Sequence, residues 1–150
     1  MNGGQIRRYN KLPLTNYGTP YISVINKTGA ASVAGTLVSA DTAVERGVKI
    51  PTNAYDICGV LVEDGKADGA YVRMVTGGIC EMLLGDGTTA GYGGWLRAST
   101  DQLGRVVNTT GPAGLGALAI EEHVKEVGHS LSKVASGGSN NKILAFLHTL

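Results

Sequence analysis

The sequence predicts an all-β domain, mainly antiparallel, that forms a compact β-barrel or sandwich and carries an extended N-terminal arm. Two observations predict this fold. Short segments rich in Val, Ile, Leu and Thr recur along the chain, and glycine, which supplies 23 of the 150 residues, separates them. The connections between these segments are short, which favours antiparallel pairing and closure of the sheet.

The composition fits a single domain of ordinary size. The mass is 15.5 kDa and hydrophobic residues make up 43%, but aromatic residues only 5%, so the core must be aliphatic. Charged residues are 17%, below the roughly 25% usual for soluble domains. A lightly charged, glycine-rich surface is typical of a protein that lies against other protein.

Residues 1–20 differ from the rest of the chain. They carry Arg7, Arg8 and Lys11 without an acidic residue, and no hydrophobic period runs through them. The segment is either a disordered tail or an arm that becomes ordered against a partner, and its tyrosines and leucines favour the arm. We therefore divide the chain into an arm, 1–20, and one β-barrel-like domain, 21–150, and expect the domain to fold without the arm.

The domain begins with two short strands. Tyr21–Ile25 alternates as a strand and is followed by a turn, and Ala34–Val38 is the second strand. Thr42–Arg46 is either one helical turn or a loop that leads to Gly47–Ile50. Pro51 ends that segment.

Three strands are predicted in the middle of the chain. Ile57–Glu63 and Ala70–Thr76 are joined through Asp-Gly turns, and Ile79–Leu84 follows. Gly77–Gly78 lies between the last two as the turn of a two-residue hairpin. Gly85–Gly94 is predicted to be a loop.

Two further pairs complete the predicted sheet. Trp95–Ser99 and Arg105–Asn108 form a hairpin around Gly104, and residues 111–116 make a flexible connection. The last two strands are residues 122–134 and residues 142–148. The first of them is either continuous or broken at Gly128.

No group of residues predicts catalysis. The serines lack a nucleophile elbow, and His129 and Ser130 are neighbours that point to opposite faces of a strand. His123 and His129 are six residues apart, so on one strand they meet a metal only through a bend or another subunit. We expect no enzyme, no cofactor and no metal.

The two cysteines, Cys58 and Cys80, occur singly in strand-like segments. Buried free thiols are the preferred interpretation, with a disulfide between them or a redox role as the alternatives.

The charge and hydropathy patterns argue against two classes of partner. The formal net charge of +1 gives no overall field that would attract nucleic acid. No apolar run reaches the roughly 18 residues of a membrane span. The start of the chain lacks the pattern of a signal peptide, so we expect synthesis in a cytoplasm.

Four stretches carry a resemblance to a known family: Ala31–Val38, Asp56–Gly65 with the following Asp68–Val75, Thr76–Leu83, and a glycine run that ends at Trp95–Ala98. In their order and pattern they resemble the capsid decoration, or cementing, proteins of tailed bacteriophages. The likeness covers residues 30–150.

This resemblance implies a structural virion protein. Such a protein binds the outer surface of the expanded capsid as a homotrimer and cements neighbouring major capsid proteins, with avidity from many copies. The implied capsid contacts lie in the arm: Arg7, Arg8, Tyr9, Leu12 and Tyr17. Tyr92 and Trp95 are weaker candidates for subunit or capsid packing, and a place for Trp95 in the core is an equal alternative.

Two other functions stay open at this point. The chain fits the base of a head fibre, or a β-barrel component of a tail or baseplate. It also fits a bacterial ligand-binding barrel, or a small hydrolase whose site is assembled between subunits; an enzyme of that kind needs a polar pocket with perturbed titratable groups.

Overall fold

The computed structural model describes residues 13–109 and 125–148, and these residues contain ten β-strands. The strands are β1 Ile22–Asn26, β2 Leu37–Ala40, β3 Gly47–Lys49, β4 Gly59–Leu61, β5 Tyr71–Val75, β6 Gly78–Leu83, β7 Trp95–Ala98, β8 Val106–Thr109, β9 Glu126–Ser130 and β10 Lys142–Leu147. The predicted all-β class is therefore confirmed.

The first five strands form a closed barrel in the order β1-β3-β2-β4-β5. Four of its five pairings are antiparallel, and β1 with β3 is the parallel one. β1 closes the barrel by pairing with β5, with Ile22 opposite Met74 and Ile25 opposite Tyr71.

The other five strands form a separate sheet in the order β6-β10-β9-β7-β8. All of its pairings are antiparallel. The hairpins predicted for Trp95–Asn108 and for the last two strands are both present, as β7–β8 and β9–β10.

The barrel and the sheet pack through a shared core. One cluster fills the barrel and includes Val38, Leu61 and Val72. A larger cluster joins the inner face of the sheet to the outside of the barrel, where Leu37 and Val60 lie. β4 and residues 37–39 of β2 are therefore buried on both faces, which explains why β4 is a continuous apolar run without alternation.

One predicted hairpin is wrong. Gly77–Gly78 does not join two paired strands, because β5 pairs with β1 and β4 while β6 pairs with β10. Closure of the barrel occupies both edges of β5, so no edge is left for β6. The chain instead passes from the barrel to the second sheet at this point.

Two open questions from the sequence are answered. Thr42–Arg46 is a loop, in which Asp41 Oδ1 accepts hydrogen bonds from the backbone N–H groups of Ala43 and Val44. β9 runs through Gly128 without a break. The predicted connection 111–116 and the start of the predicted strand at 122–124 lie outside the described residues.

Candidate functional site

The part of the predicted arm that the structure describes, residues 13–20, lies against β6. The hydroxyl of Thr19 donates a 2.6 Å hydrogen bond to the carbonyl of Ile79, and Leu14 and Pro20 form an isolated antiparallel bridge. Thr19 is buried, whereas Leu14 and Tyr17 are exposed. Arg7, Arg8, Tyr9 and Leu12 lie outside the described residues.

Tyr17 contacts the second sheet through its phenol. The Tyr17 hydroxyl donates a 3.2 Å hydrogen bond to Glu81 Oε1 on β6. Loss of solvent, then the charge of Glu81 and this hydrogen bond, raise the pKa of Tyr17. The contact gives Tyr17 a fixed position at the surface, beside a shallow depression lined by Thr15, Cys80 and Glu81.

The outward face of the second sheet carries a row of large side chains in register. Ile79, Phe146, His129 and Trp95 stand opposite one another across β6, β10, β9 and β7. Directly opposed residues of an antiparallel sheet point to the same face. Their chain neighbours Cys80, Ala145, Ser130 and Leu96 are buried on the other face. We call these four residues the outward row.

Aromatic and imidazole rings contact one another along and beside the outward row. The Trp95 and His129 rings meet edge to face, with centroids 4.9 Å apart and an interplanar angle of 80°. The rings of His129 and His148 lie 4.8 Å apart, and Phe146 lies 6.0 Å from His148. Trp95 is half-buried on this face, so the alternative that placed it in the core is wrong.

Tyr92 lies on the loop that borders the same sheet. It is 77% exposed, the largest exposure among the large hydrophobic residues that the structure describes. The loop is held to β9 because Gly93 N–H donates to the Ser130 carbonyl and Gly94 N–H donates to the Ser130 hydroxyl. Tyr92 is therefore presented on an anchored loop next to the outward row.

Ser130 has a structural role. Its hydroxyl donates to the carbonyl of Gly91 and accepts from Gly94, and the side chain is buried. It points to the face opposite His129, as the sequence predicted, so these neighbours do not form a nucleophile and base pair.

Three titratable side chains meet at the position of His129 in the outward row. Glu126 Oε1 lies 3.2 Å from His129 Nε2 and 3.4 Å from His148 Nδ1. The carboxylate is the more covered group, with 11% of the Glu126 side chain exposed against 33% for His129 and 37% for His148. We call this group the Glu126 triad.

Sequence reasoning missed the Glu126 triad because of an irregularity in β9. Glu126 and His129 are three residues apart, which on a regular strand places them on opposite faces. The pairing with β7 shifts between Leu96 and Arg97, so that Arg97 stands opposite Glu126 while Leu96 stands opposite Gly128. Val127 is thus the extra residue of a β-bulge, which returns Glu126 to the face of His129.

One signal for His148 was in the sequence. His129 and His148 occur on the two strands of the predicted terminal hairpin. The pairing of Phe146 with His129 then brings His148 within reach, but that register could not be read from the turn residues alone.

Both cysteines are free thiols, as preferred from the sequence. Cys80 is fully buried, and Cys58 is half-buried. Burial raises the pKa of Cys58, and burial together with the charge of Glu81 raises the pKa of Cys80 to about 12.

Within the described residues, no helix is long and apolar enough to cross a membrane.

Comparison with known proteins gives a match in fold. No protein-family model matches the chain, and no curated protein matches it in sequence. Among solved structures, the chain is similar to the N base of the head fiber gp8.5 in bacteriophage phi29, with a TM-score of 0.55 and 15% sequence identity. The match covers 86% of this chain and 93% of that one. At this identity the comparison establishes a shared fold.

Proposed function

We propose that this protein is a structural component of a bacteriophage virion that attaches to the outside of the head, as a head fibre base does. The observation that carries the proposal is the fold match, which extends over 93% of the phi29 head fiber N base. A correspondence of this extent includes the barrel and the second sheet together.

The surface of the second sheet supports attachment to another protein. Phe146 is 47% exposed in the middle of the outward row, and the exposed Tyr92 stands on the adjoining loop. Aromatic residues of this kind are the common anchors of protein interfaces. An exposed aromatic centre on a sheet face is therefore suited to packing against another protein.

A second candidate is the cementing function implied by the sequence resemblance over residues 30–150. In that case the protein bridges neighbouring major capsid proteins as a homotrimer on the expanded shell. The sequence resemblance is what supports this candidate, since the hydrogen bond from Tyr17 to Glu81 holds the described part of the arm against its own domain. Both candidates share attachment at the head surface.

Co-sedimentation with heads from the source phage tests the shared part of the proposal. We expect saturable binding to expanded heads. Tyr92→Ala should weaken it at least about tenfold, the cost of losing one aromatic anchor. Tyr71→Ala is the matched control, because Tyr71 is 62% exposed on β5 of the barrel, away from the outward row. If the protein binds neither expanded nor unexpanded heads, both candidates are excluded.

A heating experiment separates the two candidates. Cementing requires that shells saturated with the protein release their contents at a higher temperature than bare shells. A fibre base should bind the heads without raising the temperature at which they release their contents. The number of copies per head then shows whether the sites follow the shell lattice or occur at fewer positions.

A further inference from the structure

We propose that the Glu126 triad binds a first-row transition metal ion, with Zn²⁺ as the physiological candidate. The inference is independent of the proposed function, since it concerns three side chains of one subunit. The ligands are Glu126 Oε1, His129 Nε2 and His148 Nδ1.

The spacing of these atoms fits a tetrahedral metal. Zinc binds imidazole nitrogen and carboxylate oxygen at about 2.0–2.2 Å, so two ligands of a tetrahedral site lie about 3.3–3.5 Å apart. Glu126 Oε1 is 3.2 Å from His129 Nε2 and 3.4 Å from His148 Nδ1. The ligand atoms of all three side chains lie within 4.8 Å of one another. Two of the three distances between ligand atoms thus already match a tetrahedral site. The third, between the nitrogens of the two histidines, must shorten by no more than about 1.5 Å.

The backbone holds the ligands from two adjacent strands. Glu126 and His129 flank the bulge at Val127, and His148 follows the end of β10. The N–H of His148 donates a 2.9 Å hydrogen bond to the carbonyl of Val127 itself. The bulge therefore orients the first two ligands and also fixes the third.

The rings around the site limit the movement of the imidazoles. Trp95 packs its ring against His129, and Phe146 packs against His148. Side chains that are held by packing lose less entropy when they bind, so this packing favours a preorganised site.

The donor set selects the kind of metal. Two imidazoles and one carboxylate suit Zn²⁺ and its neighbours in the first row, whereas Mg²⁺ and Ca²⁺ prefer oxygen ligands alone. Arg97 stands opposite Glu126 on β7. The Glu126 triad thus has a cationic side chain as its cross-strand neighbour, and the two imidazole nitrogens supply most of its ligand atoms. The His129 side chain is 33% exposed and the His148 side chain 37%, so water has access to the site as a fourth ligand.

Titration of the purified, tag-free chain with ZnCl₂ tests the site. We expect one Zn²⁺ per chain with a micromolar Kd. At a free concentration of about 100 times that Kd, Tm should rise by about 5–10 °C. Trp95 is the one tryptophan of the chain, so binding of paramagnetic Co²⁺ beside His129 should also quench its fluorescence.

Variants assign the binding to these residues. His129→Gln and His148→Gln should each weaken Zn²⁺ binding at least about 100-fold. The loss of a metal ligand should cost more affinity than the loss of a group that only hydrogen-bonds to a ligand, which costs about 10–100-fold. Glu126→Gln should weaken it as well, whereas Glu45→Gln removes an exposed carboxylate from the barrel and should bind like the original chain. The Tm of each variant without metal shows whether it is folded. His148→Gln should disturb the fold least, because His148 follows the last strand.

Two results would overturn the inference. One is less than about one Zn²⁺ per ten chains at millimolar ZnCl₂, far above the Kd expected of a three-ligand site. The other is unchanged binding in both histidine variants, which would place the metal elsewhere in the chain.

Discussion

The hydroxyl of Thr19 donates a 2.6 Å hydrogen bond to the carbonyl of Ile79, and this bond ties the segment before the barrel to the first strand of the second sheet. Thr19 is buried, and its own N–H donates to Thr15 Oγ1. The end of the predicted arm therefore contributes to the packing of the domain.

Thr19→Val tests this contribution. The substitution keeps the shape of the side chain and removes the hydroxyl, so the partly buried carbonyl of Ile79 loses that donor. We expect the free energy of unfolding to fall by about 1–2 kcal/mol, measured by urea denaturation. Thr52→Val, at an exposed threonine, is the control and should change it by less than about 0.5 kcal/mol.

The same contact bears on the expectation that residues 21–150 fold without residues 1–20. That expectation stays a prediction. Deletion of residues 1–20 removes Thr19 together with the bridge between Leu14 and Pro20. We therefore expect a shortened chain that folds with a lower Tm than the full chain.

Gly128→Ala should be among the most damaging substitutions in the second sheet. A Cβ atom at Gly128 would collide with the carbonyl oxygen of Phe146 on β10. Because this obstacle is backbone in a central pairing of the sheet, it cannot move aside without loss of the β9–β10 ladder. We expect a loss of about 2–4 kcal/mol in the free energy of unfolding.

Gly91→Ala is the matched control for Gly128→Ala. Nothing lies within 4 Å of a Cβ built at Gly91. Its substitution should therefore change the urea midpoint little. Equal effects of the two substitutions would contradict the close approach of β9 and β10.

The sequence predicted the strands well and their partners less well. Local signals such as the Asp-Gly turns and the hairpin around Gly104 reflect the backbone needs of single turns, and those pairings are correct. The error at Gly77–Gly78 has a different origin. Whether two glycines turn a hairpin or carry the chain to another sheet depends on the free edges of β5, and β1 takes one of them from about fifty residues earlier.

The candidate site shows the same limit. Tyr92 and Trp95 were weaker candidates for packing contacts, with the core as an equal alternative for Trp95. Trp95 lies on the outward row and Tyr92 on the loop before it, and their role in packing stays a prediction. The Glu126 triad could not be predicted, because it depends on the bulge at Val127 and on the register between β9 and β10. Both are set by pairing across the sheet.

Cys80 should resist alkylation in the folded protein. Its pKa is raised to about 12, chiefly by burial. At pH 8 only about one thiol in 10⁴ is then the reactive thiolate, and the side chain is also inaccessible. In a Cys58→Ala variant, where Cys80 is the remaining thiol, we expect no labelling by iodoacetamide over an hour.

The same variant in concentrated urea is the control for that experiment, and it should be labelled completely. Labelling of the folded variant within minutes would show that β6 opens readily at Cys80. It would also contradict the burial of this strand between β10 and the barrel.

Asp68 should make the stability of the barrel depend on pH in the acid range. Its Oδ1 accepts a 2.9 Å hydrogen bond from the Gly29 N–H, and its Oδ2 pairs with Lys27 Nζ at 3.2 Å. The hydrogen bond from Gly29, followed by the interaction with Lys27, lowers the pKa of Asp68. The folded state thus favours the carboxylate more than the unfolded state does, where an aspartate has a pKa of about 3.9. This stabilisation is present above that value and is lost as the pH falls through the lower pKa of the folded state.

Asp68→Asn isolates this contribution, because it keeps an oxygen acceptor for Gly29 and removes the charge. We expect the original chain to melt at a higher temperature than Asp68→Asn at pH 6–7. This difference in Tm should narrow below about pH 4, where the unfolded state binds a proton at Asp68 before the folded state does. Asp101→Asn, on an exposed turn, is the control for removal of a carboxylate and should give a smaller gap. A gap between the original chain and Asp68→Asn that stays constant from pH 7 to pH 3 would show that the charge of Asp68 contributes nothing, and that the variant acts only through its altered hydrogen bond.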